Sequence, residues 1–205
     1  MGLLLDAAQA WYDLCCTSYI IELGRKGHQF TLVLSFDLAD FPHLAGMQYA
    51  TDVDFGLRPA QYYGKKLVPA VMNGTLDETR LCKSRAWSRL EGRLKAIIKL
   101  QKTLEGNFII AQFHPQRVRG SCNINAEFVI KNTVSGDAFF VFLDQNSGRY
   151  YCKSAFQSNR LDYTENQPLM TVLEVTKRIG SESKVLYRHA NYKEREHEFE
   201  HVQLS

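Results

Sequence analysis

The sequence predicts an α+β domain in which helices pack against an antiparallel sheet. Two segments, one near the start and one in the middle of the chain, repeat apolar residues at helical spacing. Many of the remaining apolar residues lie in short stretches rich in β-branched and aromatic side chains, which favour strands. With 205 residues, 45% of them hydrophobic, and no internal repeats, the chain is long enough for one globular domain. We therefore expect one domain over residues 1–188 and a charged helix or tail over residues 189–205.

The first third of the chain predicts a helix followed by a hairpin. Residues 3–17 carry apolar side chains on one helical face. Residues 18–23 and 30–36 are strand-forming stretches on either side of the turn sequence Gly-Arg-Lys-Gly. Residues 48–72 contain glycines and prolines that interrupt any periodicity, so we expect only short helical pieces and turns there.

Two helices are predicted in the middle of the chain. Thr75 and Glu78 have the spacing of a capping box, which predicts a short helix running to about Cys82. Residues 84–105 form the strongest helical pattern of the chain, and Gly106 ends it.

One arginine interrupts the apolar face of this central helix. Arg93 lies in line with five apolar residues, so a purely structural role does not explain it. Arg85 and Arg89 continue the same side of the helix at four-residue spacing. The five apolar residues of this face are Ala86, Leu90, Ile97, Leu100 and Leu104.

Five strands are predicted after the central helix, separated by turn-forming Gly, Asn, Ser and Asp residues. Clusters of such residues at 132–136 and 144–148 predict hairpin turns. Within residues 124–131, apolar and polar side chains alternate, so we expect the even-numbered residues to face one way and Asn125 and Glu127 the other. The predicted strands cover residues 108–113, 124–131, 139–143, 150–156 and 169–176.

Basic residues concentrate in the middle of the chain, although the net charge is only +3. Residues 1–57 carry 2 basic and 7 acidic side chains, residues 58–131 carry 14 and 5, and residues 132–205 carry 9 and 10. The middle third is therefore the natural region for an anionic partner. A solvated helix face explains the same excess, and composition leaves both interpretations open.

The cysteines predict a reduced, cytoplasmic protein. Their number, five, is odd, Cys15 and Cys16 are adjacent, and no Cys-x-x-Cys motif occurs. The start of the chain lacks a basic segment and its apolar run ends at Asp6. We therefore expect neither a secretory signal nor a membrane span, and no membrane partner.

His43 stands out because it closely follows the predicted strand 30–36. In the segment Phe-Pro-His-Leu-Ala-Gly, Pro42 is expected to end the hydrogen-bonded ladder, and Gly46 permits a tight turn or a close contact. A titratable ring at the end of a buried strand suits catalysis. On this segment alone, a histidine satisfied within its loop is the simpler interpretation.

A zinc-protease motif near the end of the chain does not predict a zinc site. Residues 197–201 match His-Glu-x-x-His, which on a helix puts two imidazoles on one face. Catalytic zinc also needs a third protein ligand and a dry cavity, whereas Glu196 and Glu200 make this segment strongly charged. We expect no metal and no cofactor.

Five short motifs follow one another in a characteristic order. They are Phe41-Pro-His-Leu-Ala-Gly46, the helix with Arg89 and Arg93, Asn123-Ile-Asn-Ala-Glu-Phe128, Lys153-Ser-Ala-Phe156 and Asp162-Tyr-Thr-Glu-Asn-Gln167. In this order they resemble the phage-associated branch of the barnase–EndoU–colicin–RelE-like nucleases, over about residues 18–180. The resemblance implies N-terminal and central helices packed on a curved antiparallel sheet. It also implies a metal-independent ribonuclease that cleaves RNA through its 2′-hydroxyl, a toxin or effector of a phage or other mobile element.

Four residues are the catalytic candidates that this resemblance implies. His43 would act as general base or acid, since imidazole titrates near neutral pH. Arg93 would hold the phosphate and stabilise the charge that develops on it. Ser154 would donate to a phosphate oxygen, and Tyr163 would stack on a base or donate a proton. Each of these residues also has an ordinary structural interpretation.

Three further residues are candidates for binding the substrate. Arg89 and Lys153 would contact the RNA backbone, and Gln167 would read a base edge. The partners that the resemblance implies are RNA and a neutralising antitoxin or immunity protein.

The alternative function is a non-catalytic RNA- or protein-binding module on the same fold. The surroundings of Arg93 distinguish between the two functions. Burial beside His43 favours catalysis, whereas a salt bridge with Glu127 far from His43 favours binding alone.

Overall fold

The computed structural model describes residues 2–54, 64–76, 78–134, 136–158 and 160–193. These residues contain the α-helices α1 (Leu3–Cys15), α2 (Phe41–Ala45), α3 (Leu67–Met72), α4 (Glu78–Leu81) and α5 (Trp87–Glu105). They also contain the strands β1 (Thr17–Arg25), β2 (His28–Ser35), β3 (Ile109–Gln112), β4 (Phe128–Val134), β5 (Asp137–Asn146), β6 (Arg149–Gln157), β7 (Leu169–Ile179) and β8 (Glu182–Arg188). Short 3-10 turns cover Leu38–Asp40, Met47–Tyr49 and Pro115–Arg117.

The strands form one sheet in the order β1-β2-β6-β5-β4-β3-β7-β8, and a pairing of β1 with β7 closes it into a seven-stranded barrel. The predicted α+β class is confirmed. The predicted curved antiparallel sheet is wrong, because the sheet closes into a barrel and β2 pairs with β6 in parallel. The 11-residue strand β7 causes the closure, because one of its edges pairs with β1 over nearly its whole length while the other pairs with β3 and then β8. Such long-range pairings leave no local pattern in the sequence.

Most of the predicted elements occur close to their expected bounds. The first helix, the first hairpin, the central helix and all five later strands are confirmed, each with shifted ends. β8 was not predicted, because this edge strand is exposed along almost its whole length and so lacks an apolar face. Residues 55–63 of the segment predicted to be irregular, and the charged end with its His-Glu-x-x-His motif, lie outside the described residues.

The predicted capping box at Thr75 is wrong, although a short helix does follow it. Both the backbone nitrogen and the hydroxyl of Thr75 donate to the side-chain oxygen of Asn73, at 3.0 and 2.6 Å. Glu78 instead accepts a hydrogen bond from the backbone nitrogen of Leu4 at 2.9 Å. This carboxylate therefore satisfies a free backbone donor in the first turn of α1 and links α4 to it.

Aromatic packing holds the segment that connects β2 to α2. The fully buried ring of Trp11 contacts the Phe36 ring edge to face, with 5.5 Å between the ring centroids, and its centroid lies 6.5 Å from that of Phe41. Its indole nitrogen donates to the backbone oxygen of Asp37 at 3.0 Å. Truncating a buried ring such as Phe41 costs about 3–5 kcal/mol, so this cluster fixes the start of α2 firmly.

A second hydrophobic cluster lies on the opposite face of β3, β4 and β5 from the main core. Neighbouring residues such as Val129 and Ile130 belong to different clusters, as strand alternation requires. Ile124 and Ala126 pack with the second cluster, whereas Phe128 and Ile130 belong to the main core. The predicted alternation through 124–131 is therefore wrong, because β4 begins only at Phe128 and the residues before it are irregular.

None of the described helices is long and apolar enough to span a lipid bilayer. All five cysteines fall within the described residues, and none of them forms a disulfide.

Candidate active site

A cleft of about 640 Å³ lies between α2, α5, β6 and the irregular segment before β4. Its walls contain six of the seven residues that the sequence singled out. Among the described residues, no aspartate or glutamate lines it. The six residues are His43, Arg89, Arg93, Lys153, Ser154 and Tyr163.

His43 reaches the cleft from a short helix rather than from a turn directly after the strand. The Asp37 carboxylate accepts a hydrogen bond from the backbone nitrogen of Ala39 at 2.9 Å and starts a 3-10 turn. α2 follows, with Pro42 in its first turn, where a missing backbone donor costs nothing. The helix ends at Gly46, which has the left-handed φ of 84°.

The surroundings of His43 favour its neutral form. Burial lowers the pKa of the imidazole, and the positive charges of Arg93 and Lys153 lower it further. The side-chain nitrogen of Gln48 donates to the backbone oxygen of His43 at 3.3 Å and lies 3.4 Å from Nδ1. The lowered pKa favours the neutral ring, which can accept a proton, and Gln48 lies next to this ring.

Two arginines share one aromatic ring in the wall of the cleft. The guanidinium carbon of Arg89 lies 3.5 Å from the ring centroid of Tyr49, and that of Arg93 lies 5.4 Å from it. Arg93 also donates to the backbone oxygen of Leu44 at 3.3 Å, and burial lowers its pKa.

Neither arginine forms an ion pair with a carboxylate of the described residues. Glu127, the alternative partner for Arg93, instead accepts a hydrogen bond from the Tyr150 hydroxyl at 2.9 Å. Partly buried cations that lack a carboxylate attract an anion from solution, because burial without a counter-charge is unfavourable.

Gly46 allows Arg93 to approach the end of α2. A Cβ atom at position 46 would lie 2.8 Å from Cδ of Arg93, which is closer than real Cβ contacts. The left-handed backbone of Gly46 adds a second reason for glycine. The predicted tight, closely packed backbone after His43 is confirmed, and its effect is to bring Arg93 beside that residue.

A β-bulge turns two successive residues of β6 into the cleft. The ladder with β5 pairs Ser154 with Phe142 and Cys152 with Leu143, so Lys153 has no partner strand residue. Successive side chains of a regular strand point to opposite faces, yet Lys153 and Ser154 both line the cleft. The bulge allows the side chains of both residues to face the cleft.

Lys153 and Tyr163 are held by neighbouring side chains, of which only Phe156 lines the cleft. The ammonium group of Lys153 forms an ion pair with Asp144 at 2.5 Å. The ring of Tyr163 lies 5.2–5.4 Å from the rings of Phe140, Phe142 and Phe156. Burial raises the pKa of Tyr163, so its hydroxyl stays protonated and can donate.

Gln167 does not line the cleft. Its side-chain oxygen accepts from the backbone nitrogen of His114 at 2.9 Å, and its side-chain nitrogen donates to the backbone oxygen of the same residue at 3.0 Å. The amide is buried and bridges two loops.

Eight lining residues were not predicted as site residues. Gly92 offered one signal, because a glycine inside a helix costs about 1 kcal/mol relative to alanine. Asn123 and Asn125 offered another, since they belong to one of the motifs that carry the resemblance. The eight are Tyr49, Ser88, Gly92, Asn123, Ile124, Asn125, Phe156 and Gln157.

Fold and cleft together define an α+β protein in which a histidine, two arginines and a lysine line one cleft. A family model described as phage-Barnase-EndoU-ColicinE5/D-RelE like nuclease4 matches residues 3–195, so the chain belongs to that family of nucleases. The membership confirms the resemblance and supports nuclease activity in general. No curated protein and no solved structure matches the chain.

Proposed function

We propose that the protein is a metal-independent endoribonuclease that cleaves RNA by attack of a 2′-hydroxyl on the adjacent phosphate. One observation carries this proposal: His43 and two arginines line a single cleft, and among the described residues no carboxylate lines this cleft or pairs with either arginine. The lowered pKa of His43 favours the neutral ring that a general base needs. RNA supplies both the anion that the arginines attract and the hydroxyl that a neutral histidine can deprotonate. A cleft without carboxylates also lacks the ligands by which proteins usually bind Mg²⁺.

His43 is the general base in this mechanism. It takes the proton from the 2′-hydroxyl as the O2′–P bond forms and the P–O5′ bond breaks. Tyr163, whose hydroxyl is protonated, gives a proton to the leaving 5′-oxygen. The products are a 2′,3′-cyclic phosphate and a 5′-hydroxyl end.

Arg93 stabilises the negative charge that grows on the phosphorane. Its guanidinium is held near His43 by the Leu44 backbone oxygen and by Tyr49, so little reorganisation is needed when charge develops. Arg89 and Lys153 contact the flanking phosphates, and Ser154 donates to a phosphate oxygen. Gln167, whose amide is bonded to backbone, is left out of this mechanism.

A biological role follows from the same chemistry. A ribonuclease that cuts essential RNA without restraint harms the cell that contains it, and the family description begins with phage. We therefore propose that the protein is a cytoplasmic toxin or effector of a phage or other mobile element. Its partners are RNA and a neutralising antitoxin or immunity protein.

Cleavage of RNA by the purified protein in EDTA tests the proposal. We expect cleavage without added metal, with 2′,3′-cyclic phosphate ends detected by mass spectrometry. A strand with 2′-deoxyribose at the mapped cleavage position should be uncut there. A requirement for divalent metal, or cleavage of the deoxy strand at that position, would contradict the mechanism.

The same preparation separates catalysis from binding alone. A non-catalytic module would bind RNA with a strong dependence on salt concentration and cut nothing, because the arginines neutralise phosphates in either case. Binding without cleavage in every RNA pool tested would therefore replace the nuclease proposal.

A further inference from the structure

Gln48 reaches the ring of His43 from outside the cleft. Its side-chain nitrogen lies 3.4 Å from Nδ1 and donates to the backbone oxygen of His43 at 3.3 Å. His43 lines the cleft, whereas Gln48 does not. The amide therefore takes up the Nδ1 side of the ring and leaves Nε2 as the nitrogen that RNA in the cleft can reach.

A general base that acts through Nε2 needs the ring proton on Nδ1. A neutral imidazole carries one proton, and only the nitrogen without it can accept another. The hydrogen bond made by one nitrogen decides which of the two is protonated. A group that accepts from Nδ1 therefore prepares Nε2 to take the proton from the 2′-hydroxyl.

The side-chain oxygen of Gln48 is an acceptor without a donor. It is buried, and no hydrogen-bond partner for it is found among the described residues. A buried acceptor without a partner is unfavourable and rare in folded proteins. Among the described side chains, Gln48 is also the one with a polar atom within hydrogen-bond distance of the His43 ring. The missing donor and the missing acceptor therefore belong to two neighbouring side chains.

A half-turn of the amide joins these two groups. Rotation about the last side-chain bond of Gln48 exchanges its oxygen and nitrogen, which places the oxygen at Nδ1. The exchange costs the hydrogen bond of the amide nitrogen, and the proton on Nδ1 supplies one to the oxygen. The backbone oxygen of His43 stays satisfied, because the backbone nitrogen of Gly46 donates to it at 3.1 Å.

We propose that Gln48 is a positioning residue for His43, whose amide oxygen accepts from Nδ1–H while Nε2 takes the proton from the 2′-hydroxyl. The amide nitrogen faces Nδ1 when the resting ring carries its proton on Nε2, and the oxygen faces Nδ1 once that atom is protonated. The same hydrogen bond stabilises the imidazolium that forms as O2′ attacks the phosphorus. This role rests on the proposed function, because it concerns the orientation of the proposed base.

An amide suits this position better than a carboxylate. The charged groups that act on the ring are Arg93 on α5 and Lys153 on β6, and both are positive. A carboxylate at position 48 would balance part of the charge that attracts the phosphate, and it would favour the protonated ring. A neutral oxygen holds the proton on Nδ1 without these two effects.

Two substitutions at position 48 and one matched control test the role in RNA cleavage. Gln48→Met removes the acceptor and should lower kcat about tenfold or more, as expected for a lost hydrogen bond to a charged group, while KM changes less than about twofold. Gln48→Glu keeps an acceptor, so it should retain most of kcat and move the acidic limb of the pH profile to higher pH. Gln101→Met is the control, because this half-buried amide bonds to Glu105 and does not line the cleft. Its kcat should stay within about twofold of the wild-type value.

NMR of the ring provides a readout that a merely structural glutamine would not change. Titration midpoints of the His43 ring should rise in the order Gln48→Met, wild type, Gln48→Glu, because a stronger acceptor at Nδ1 stabilises the protonated ring. In the wild type, the side-chain amide signals of Gln48 should shift with the midpoint of His43, since the amide turns when Nδ1 gains its proton. Comparison with the spectrum of His43→Ala assigns the ring signals.

The outcomes separate this role from the nuclease proposal. Wild-type kcat and an unchanged ring midpoint in Gln48→Met would overturn the role even when RNA is cut, and so would equal losses of kcat in Gln48→Met and Gln101→Met. If thermal melting shows that Gln48→Met does not fold, the midpoint in Gln48→Glu decides: a value above that of the wild type supports the role, and any other value overturns it. If no RNA is cut in EDTA but the three midpoints keep their order, the nuclease proposal fails while the effect of Gln48 on the His43 ring stands.

Discussion

Two clefts receive residues from α2 or the turn before it, and they differ in their carboxylates. One has a volume of about 400 Å³, contains two arginines and is also lined by Asp37 and Asp40. The other, of about 640 Å³, contains two arginines and His43, and no aspartate or glutamate of the described residues lines it. In the smaller cleft two carboxylates balance the charge of the two arginines, whereas the arginines of the larger cleft have no carboxylate in its walls to balance them.

This difference explains why the number of basic residues alone does not locate an anion site. In the smaller cleft, burial and the charge of Asp37 raise the pKa of Asp40, so negative charge is already crowded there. Some cations of the basic middle third also have carboxylate partners: Arg119 pairs with Glu165, and Lys131 pairs with Asp162. An anion site is defined by cations whose charge no nearby carboxylate balances.

The largest expected effect is that of removing the imidazole. His43→Ala should lower the rate of RNA cleavage by about 10²–10⁴-fold, because general base catalysis contributes that much. Asp40→Asn, in the smaller cleft, is the matched control and should change the rate less than about twofold, since it touches no group in the mechanism. Single-turnover kinetics and thermal melting measure both variants. Full activity of His43→Ala with an unchanged melting temperature would remove this residue from the mechanism.

Loss of a cleft arginine should have the next largest effect. Arg93→Met should lower kcat by about 10²–10³-fold, the range seen when one preorganised donor to developing charge is removed. Arg93→Lys should recover only part of the rate, because an ammonium lacks the paired donors of a guanidinium. Arg149→Met removes an arginine of the smaller cleft as the control. Equal losses in the Arg93 and Arg149 variants would erase the distinction between the clefts.

The pH profile of cleavage should depend on Lys153. Activity requires neutral His43 and falls as pH drops through its pKa, which burial, Arg93 and Lys153 hold below the usual value. Lys153→Met removes one positive charge, raises that pKa and should move the acidic limb of the profile to higher pH. Lys131→Met, which also breaks a lysine–aspartate pair, should leave the limb in place. An NMR titration of the His43 ring provides a direct check.

The smallest effect is expected at Gly92, where a substitution should increase stability and decrease activity. A Cβ atom at this position meets nothing within 4 Å. Gly92→Ala should therefore raise the free energy of unfolding by about 0.5–1 kcal/mol through helix propensity. The added methyl group enters the cleft and should slow cleavage a few-fold. Urea denaturation and initial rates measure the two effects.

Gly46→Ala is the contrasting variant. The added Cβ atom would lie 2.8 Å from Cδ of Arg93, and position 46 has a left-handed backbone. The variant should therefore lose both stability and activity. A gain in stability at position 46, or a loss at position 92, would show that the packing around α5 is wrongly described.

Local sequence patterns predicted most of the elements, and the family resemblance implied six of the residues in the cleft. The apolar periodicity of α1 and α5 and the turn residues between strands act over a few residues, so they are visible without the rest of the chain. Arg93 was found because it breaks such a pattern. Tyr49 was missed, because nothing near it in the sequence shows that two arginines from α5 will lie over its ring.

Non-local contacts account for what the sequence did not predict. Thr75 and Glu78 have the spacing of a capping box. The Thr75 hydroxyl instead donates to the side chain of Asn73, and the Glu78 carboxylate accepts from the backbone of α1. The bulge at Lys153 depends on the register between β5 and β6, which two separate strands set together. β8 pairs with β7, and too few of its side chains are buried to produce an apolar pattern in the sequence.

By itself, the sequence determined the α+β class, the order of the main elements and the chemical groups that a nuclease cleft requires. Hydrophobic periodicity and turn propensity are short-range effects, so they act on residues that are close in the chain. Only the tertiary structure decided that the sheet closes into a barrel and that Arg89 and Arg93 have no carboxylate partner among the described residues. Both depend on which distant residues meet, and the charge balance of a cleft exists only once its walls are assembled.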